Sequence, residues 1–155
     1  MRKIIITILL LAVPVTPAKA DINNPDHRCP KLEAKMKEYR LPVKGKVNFS
    51  YLAWRESRCQ RKAVGWNLHK GRSLSECPDG RYHVMRKCDA VKSWDVGALQ
   101  INSSWFTLTY KLCGKTTRSR ILMNLDCNLK VASWLYHHGG GAANWGYPSD
   151  KGSND

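Results

Sequence analysis

Two short stretches of this chain carry side chains suited to acid–base chemistry. The first is Trp54-Arg55-Glu56-Ser57-Arg58-Cys59, where one carboxyl follows the apolar pair Leu52-Ala53. The second is Asp95-Val96-Gly97-Ala98-Leu99-Gln100-Ile101-Asn102-Ser103, which offers another carboxyl, a glycine and two amides among apolar packing residues. A carboxyl serves as a general acid near neutral pH when an apolar setting disfavours its charged form. Leu52, Ala53 and Trp54 are the neighbours that would supply such a setting for Glu56. Arg55 and Arg58, at i−1 and i+2 on a helix, do not share its face and are expected to point elsewhere. A Glu among basic neighbours on a helix reads, by itself, as a solvated surface residue. The second stretch is what changes that reading.

The elements that must position these groups follow from periodicity. Leu32, Met36 and Tyr39 fall at i, i+4 and i+7, which predicts an amphipathic helix from Lys31 to Arg40. Pro42 and Gly45 interrupt the chain. Asn48 then caps a second helix running to about Cys59, with Leu52 and Ala53 facing inward. Glu56 sits one turn beyond Leu52, on or beside that inward stripe, where a carboxylate is costly to bury without a use or a partner. From Gly65 to Ser93 helical periodicity is lost, and Gly71, Pro78, Asp79 and Gly80 are turn signals. Cys77 and Cys88 bracket a small irregular or hairpin lobe that includes Tyr82-His83-Val84-Met85. Helical character is expected again from Ala98 to about Leu108. Asp126 is the expected N-cap of a last helix with Leu129, Ala132, Leu135 and Tyr136 on its apolar face, stopped by Gly139-Gly140-Gly141. The fold class is mainly α, a helical domain with a small disulfide-stapled lobe.

Composition bounds the setting. Arg2 and Lys3 precede an apolar run from Ile4 to Val15 and the small-x-small site Ala18-Lys19-Ala20, the pattern of a secretory signal spanning residues 1–20. The run falls short of the ~20 residues a membrane span needs, so no stable span is expected after cleavage. Residues 21–155 are then one exported domain, in the periplasm or outside the cell, and a monomer. Its six cysteines, Cys29, Cys59, Cys77, Cys88, Cys113 and Cys127, predict three disulfides. Many pairings are open; closing the shortest loops gives Cys77–Cys88 and Cys113–Cys127 and leaves Cys29–Cys59. No Cys/His spacing suits zinc, and His137-His138 near a helix end reads as solvated, so neither metal nor cofactor is expected. The net charge falls from +14 to +11 once Arg2, Lys3 and Lys19 are removed. So basic a surface is drawn to polyanions, which for an exported protein are wall polymers and anionic membrane surfaces. Nucleic acid is not expected, since no groove-reading motif occurs.

Glu56-Ser57 followed by Gly97-Ala98-Leu99-Gln100-Ile101-Asn102-Ser103 resembles the lysozyme-like superfamily, in particular small exported lytic transglycosylases. Leu125-Asp126-Cys127-Asn128-Leu129 is similar to a third family stretch, Asp-Pro-Cys-x-Asn-Ile, without its proline. The resemblance runs from about Asn48 to Trp145. It implies a lysozyme-like fold and cleavage of the MurNAc–GlcNAc β-1,4 bond of peptidoglycan, with Glu56 as acid and base and a 1,6-anhydro product. Ser57, Gly97, Gln100 and Asn102 would line the substrate cleft. Three departures stand out: a longer stretch between Glu56 and Gly97, Leu99 in place of Met, and no Ala-Tyr-Asn closing segment. Tyr147 is the residue that would take the missing tyrosine's place against the carboxyl or the substrate.

Animal-type hydrolytic lysozymes carry a carboxylate two residues before the corresponding glycine, and Asp95 matches it; a turn-capping Asp is the plainer reading. A hydrolytic muramidase using Glu56 with Asp95 is therefore one rival, and a non-catalytic cationic wall-binding or assembly component is another. Trp66 and Trp94, in the lobe, are the expected sugar-stacking surfaces. Peptidoglycan strands are the implied partner, joined by a secretion, conjugation or pilus apparatus if the enzyme clears a path for one.

Overall fold

Pro30 opens the first helix, α1 (Pro30–Glu38), where its missing N–H costs nothing. Leu32 and Met36, one turn apart, face inward and are buried. This computed structural model describes residues 24–78, 82–114 and 118–147; the expected signal, residues 1–20, and the turn signals Asp79 and Gly80 lie outside the described residues. Asn48 caps α2 (Phe49–Ser57), its side chain accepting from Ser50 N at 3.0 Å and Tyr51 N at 3.2 Å. Phe49, Leu52 and Ala53 are fully buried, as the inward stripe requires. The rings of Tyr136 and Trp145 meet Phe49 edge-on at 5.1 and 5.2 Å between centroids. Left-handed backbone at Arg58 (φ 52°) and Cys59 (φ 64°) ends the helix, and Cys29–Cys59 ties that end to the start of α1.

The lobe is a three-stranded antiparallel sheet in the order β1 (Val64–Leu68), β2 (Val91–Val96), β3 (Ile101–Asn102). Between β1 and β2 lie a 3₁₀ turn at Leu74–Glu76 and the short helix α3 (Tyr82–Met85), with Cys77–Cys88 across them. Tyr82–Met85 is thus a helical turn, and the hairpin is formed by the strands flanking it. Ile101–Asn102 departs from the helix expected after Ala98. Gly97 (φ 85°) and Gln100 (φ 46°) reverse the chain between β2 and β3, so Ile101 pairs with Val96 and Asn102 with Asp95. The helix resumes only at α4 (Phe106–Cys113).

Helix α5 (Leu125–His138) runs through the core, burying Leu129, Val131, Ala132 and Leu135, and stops at Gly139. Its N-cap is Asn124, which accepts from Cys127 N at 3.1 Å, and not the expected Asp126. Asp126 already lies within the first turn and reaches across to α1, accepting from Tyr39 Oη at 2.8 Å and pairing with Lys35 Nζ at 2.9 Å. Lys35 and Tyr39 hold its carboxyl below the ordinary carboxylate range. Cys113–Cys127 joins α4 to α5, so the three bridges are those that the shortest-loop choice names. No helix among the described residues is long and apolar enough to cross a membrane. Val96, Ala98, Leu99 and Ile101 share one core with the helices, which puts the reversal at 97–100 between sheet and helices.

Candidate active site

Glu56 lies in the last turn of α2 with its side chain 26 % exposed. The next residue fixes where that turn sits. Ser57 Oγ shares its proton between Ala53 O at 2.9 Å and Ala98 O at 2.8 Å, so the helix end is fastened to the 97–100 reversal. Ser57 is buried and acts as a tie.

The reversal is held from every side. Gly97 N donates to Ala63 O at 2.9 Å. A Cβ on Gly97 would lie 2.3 Å from Asn128 Nδ2 and 2.4 Å from Leu122 O, so its positive φ and its close packing both demand glycine. Gln100 Nε2 donates to Gly97 O at 2.8 Å and Ala63 O at 3.2 Å, while Trp145 Nε1 donates to Leu99 O at 2.8 Å. Asn128, fully buried on α5, accepts from Leu99 N and donates to Val96 O, both at 2.9 Å. Its stretch carries the family likeness, but its role follows only from packing α5 against the reversal.

Asp95 stands within β2 and is no turn cap. Its Oδ1 accepts from Asn102 Nδ2 at 2.8 Å and its Oδ2 from Asn67 Nδ2 at 2.7 Å. Both amides also reach Ser93 Oγ, at 3.3 and 3.2 Å. Gly65 pairs opposite Asp95 and places no side chain beside the carboxylate. Asn102 Oδ1 accepts from Ser104 N at 3.0 Å, so both ends of that amide are engaged within the protein. The amide of Gln100 likewise donates inward. These two residues position the site, and Asn67, which periodicity does not single out, joins them.

Arg55 is where the face argument fails. Its Nε and Nη2 donate to Glu56 Oε1 at 2.9 and 2.5 Å, and Nη2 also reaches Trp145 O. A long arginine at the end of a helix folds along the axis instead of projecting radially, and the 142–147 segment gives it a dock. Its Cζ lies 5.4 Å from the centre of the Tyr147 ring. Arg58 does point away, with its Cζ 3.8 Å from the centre of the Trp54 ring. Glu56 Oε2 has no hydrogen-bond partner among the described residues.

Tyr147 therefore reaches the Glu56 neighbourhood through Arg55. Its hydroxyl is buried without a hydrogen-bond partner among the described residues, and burial pushes the phenol above its ordinary range. Trp66 and Trp94 do not face this site. They pair across β1 and β2 on the same side of the sheet as Val96 and Ile101, opposite to Asp95. There they pack with Tyr82 and Phe106, and Trp94 Nε1 donates to Tyr82 Oη at 2.9 Å. Trp54 is covered by His27, stacked at 3.9 Å, and by Arg58. His137 and His138 each meet a backbone carbonyl, of Arg40 and Trp134.

No family model, no curated protein and no solved structure matches the chain.

Proposed function

We propose that this chain cleaves the glycan strands of peptidoglycan at the MurNAc–GlcNAc β-1,4 bond, acting as a lytic transglycosylase with Glu56 as the acid and then the base. The observation that carries the reading is the placement of Glu56: one carboxyl oxygen has no hydrogen-bond partner among the described residues, and the helix end bearing it is fastened to the 97–100 reversal. Glu56 gives a proton to the glycosidic oxygen as positive charge builds on the sugar ring. As carboxylate it then takes the proton of the substrate's own 6-hydroxyl, which closes on the anomeric carbon; no water is consumed. Tyr147, beside Arg55, is the tyrosine that would serve the carboxyl or the glycan; its hydroxyl has no hydrogen-bond partner among the described residues.

Asp95 favours a second reading. Two amide donors fix its two oxygens, the orientation that a nucleophilic or cation-stabilising carboxylate needs in a retaining hydrolase. The product separates the two: a 1,6-anhydro end supports the transglycosylase, a reducing end the hydrolase. Three disulfides fit an oxidising compartment, the setting of an exported wall enzyme. Digestion of purified peptidoglycan by wild type and Glu56→Gln, with the ends identified by mass spectrometry, tests the proposal. Equal turnover by the two refutes the role of Glu56, and no turnover by either favours the wall-binding component.

A further inference from the structure

Three grooves lined by neither Glu56 nor Asp95 lie around the start of α5. One of about 500 Å³ is walled in part by Tyr39, Arg120, Asn124, Asp126 and Lys130. A second, of about 510 Å³, shares Arg120 and Asn124 with it and adds Lys62, Tyr82 and Met123. A third, of about 600 Å³, ends at Leu125, the neighbour of Asn124, and carries Lys31 and Arg61. Chain neighbours line the second and third grooves (Lys62 and Arg61, Asn124 and Leu125), so the three lie side by side as a track around the start of α5.

Five cations line that track: Lys31, Arg61, Lys62, Arg120 and Lys130. All are exposed, and none forms an ion pair among the described residues. The single acid, Asp126, is engaged by Lys35 and Tyr39. A row of such cations in adjacent concavities fits a linear chain of negative groups better than one compact anion. Arg61 and Arg120 add the planar donor fork that matches phosphate.

The aromatic side chains narrow the choice of polymer. Single-stranded nucleic acid needs free rings on which its bases stack. The Tyr39 hydroxyl is bonded to Asp126 and the Lys35 ammonium stands 5.9 Å from its ring centre, while Tyr82 packs on Trp66 and accepts from Trp94. Both rings are thus already engaged within the protein. We propose that the track docks a linear phosphodiester polymer of the cell wall, holding the protein beside its glycan without using the Glu56 site.

Binding can be measured without turnover, on the disulfide-bonded Glu56→Gln protein, so its failure is distinct from failure of the cleavage reading. The probe is poly(glycerol phosphate), titrated by calorimetry at 50 and 200 mM salt. The expected result is binding that weakens on the order of 100-fold over that range, as for about five phosphates neutralised. Lys62→Glu with Arg120→Glu and Lys130→Glu should abolish binding at 200 mM salt. The same reversal at Lys44, Lys46 and Lys92, exposed positions outside the track, should cost less than about fivefold. Equal loss in both triple variants would overturn the track in favour of net charge alone. Absence of binding would overturn it too, as would tighter binding of a single-stranded oligonucleotide or of anionic phospholipid vesicles at equal charge.

Discussion

Removing the Asn128 amide should unfasten the reversal that carries the candidate site. Asn128→Ala deletes one acceptor and one donor, leaving Leu99 N–H and Val96 C=O without their 2.9 Å partners. Both residues are 0 % exposed, so water reaches neither group except through the space vacated by the side chain. An unsatisfied buried polar group costs about 1–3 kcal/mol, so the pair should cost about 2–5 kcal/mol, at the lower end if one water fills the gap. For a domain of this size that is a fall in Tm of about 10 °C. Asn128→Asp sharpens the test. It keeps the acceptor for Leu99 N but turns a second oxygen toward Val96 O, placing a carboxylate against a carbonyl in the core. At pH 7 it should be less stable than Asn128→Ala, and the gap should narrow toward about pH 4, where the protonated acid can donate to Val96 O. Thermal melts followed by circular dichroism at both pH values provide the measurement. A fall below about 3 °C for Asn128→Ala, or wild-type stability for Asn128→Asp at pH 7, would refute the assignment.

Gly97→Ala forces a Cβ to within 2.4 Å of Leu122 O at φ 85°, and should cost about 2–4 kcal/mol in urea unfolding; an unchanged midpoint would contradict the packing described. Tyr147→Phe removes a buried hydroxyl that has no partner among the described residues, so stability at pH 7 should hold or rise slightly. Burial raises the Tyr147 phenol in the folded state, so its contribution is present below the unfolded value near pH 10 and is lost as pH climbs past it. Unfolding of Tyr147→Phe at about pH 10.5 should therefore show a smaller alkaline loss than wild type. Arg55→Met releases Glu56 Oε1 and should lower kcat on peptidoglycan about 10- to 100-fold with KM within about threefold, the size of a charge-assisted hydrogen bond. An unchanged kcat would show that Arg55 does not position the carboxyl.

What the sequence discloses here is what depends on neighbours along the chain. Leu32 and Met36 announce α1, Asn48 caps α2 where its type predicts, and the closely spaced cysteines choose their partners because short loops close at least entropic cost. What it conceals depends on register and on reach. The two residues of β3 are too short a strand to have a pattern, and their pairing follows from left-handed backbone at Gly97 and Gln100. Asn67 meets Asp95 only because β1 and β2 align Gly65 with Asp95, and that same alignment sends Trp66 and Trp94 to the opposite face. A helical wheel treats side chains as rigid spokes, so it misplaces Arg55, whose flexible stem folds back to Glu56. Asp126 looks like a cap by type, yet α5 begins one residue ahead of it and frees that carboxylate to bind α1.

The most direct test of the central claim is the digestion of purified peptidoglycan by wild type beside Glu56→Gln, with both proteins shown to melt alike. The proposal predicts soluble fragments ending in 1,6-anhydro sugars from wild type and none from Glu56→Gln. Undiminished release by Glu56→Gln would contradict it.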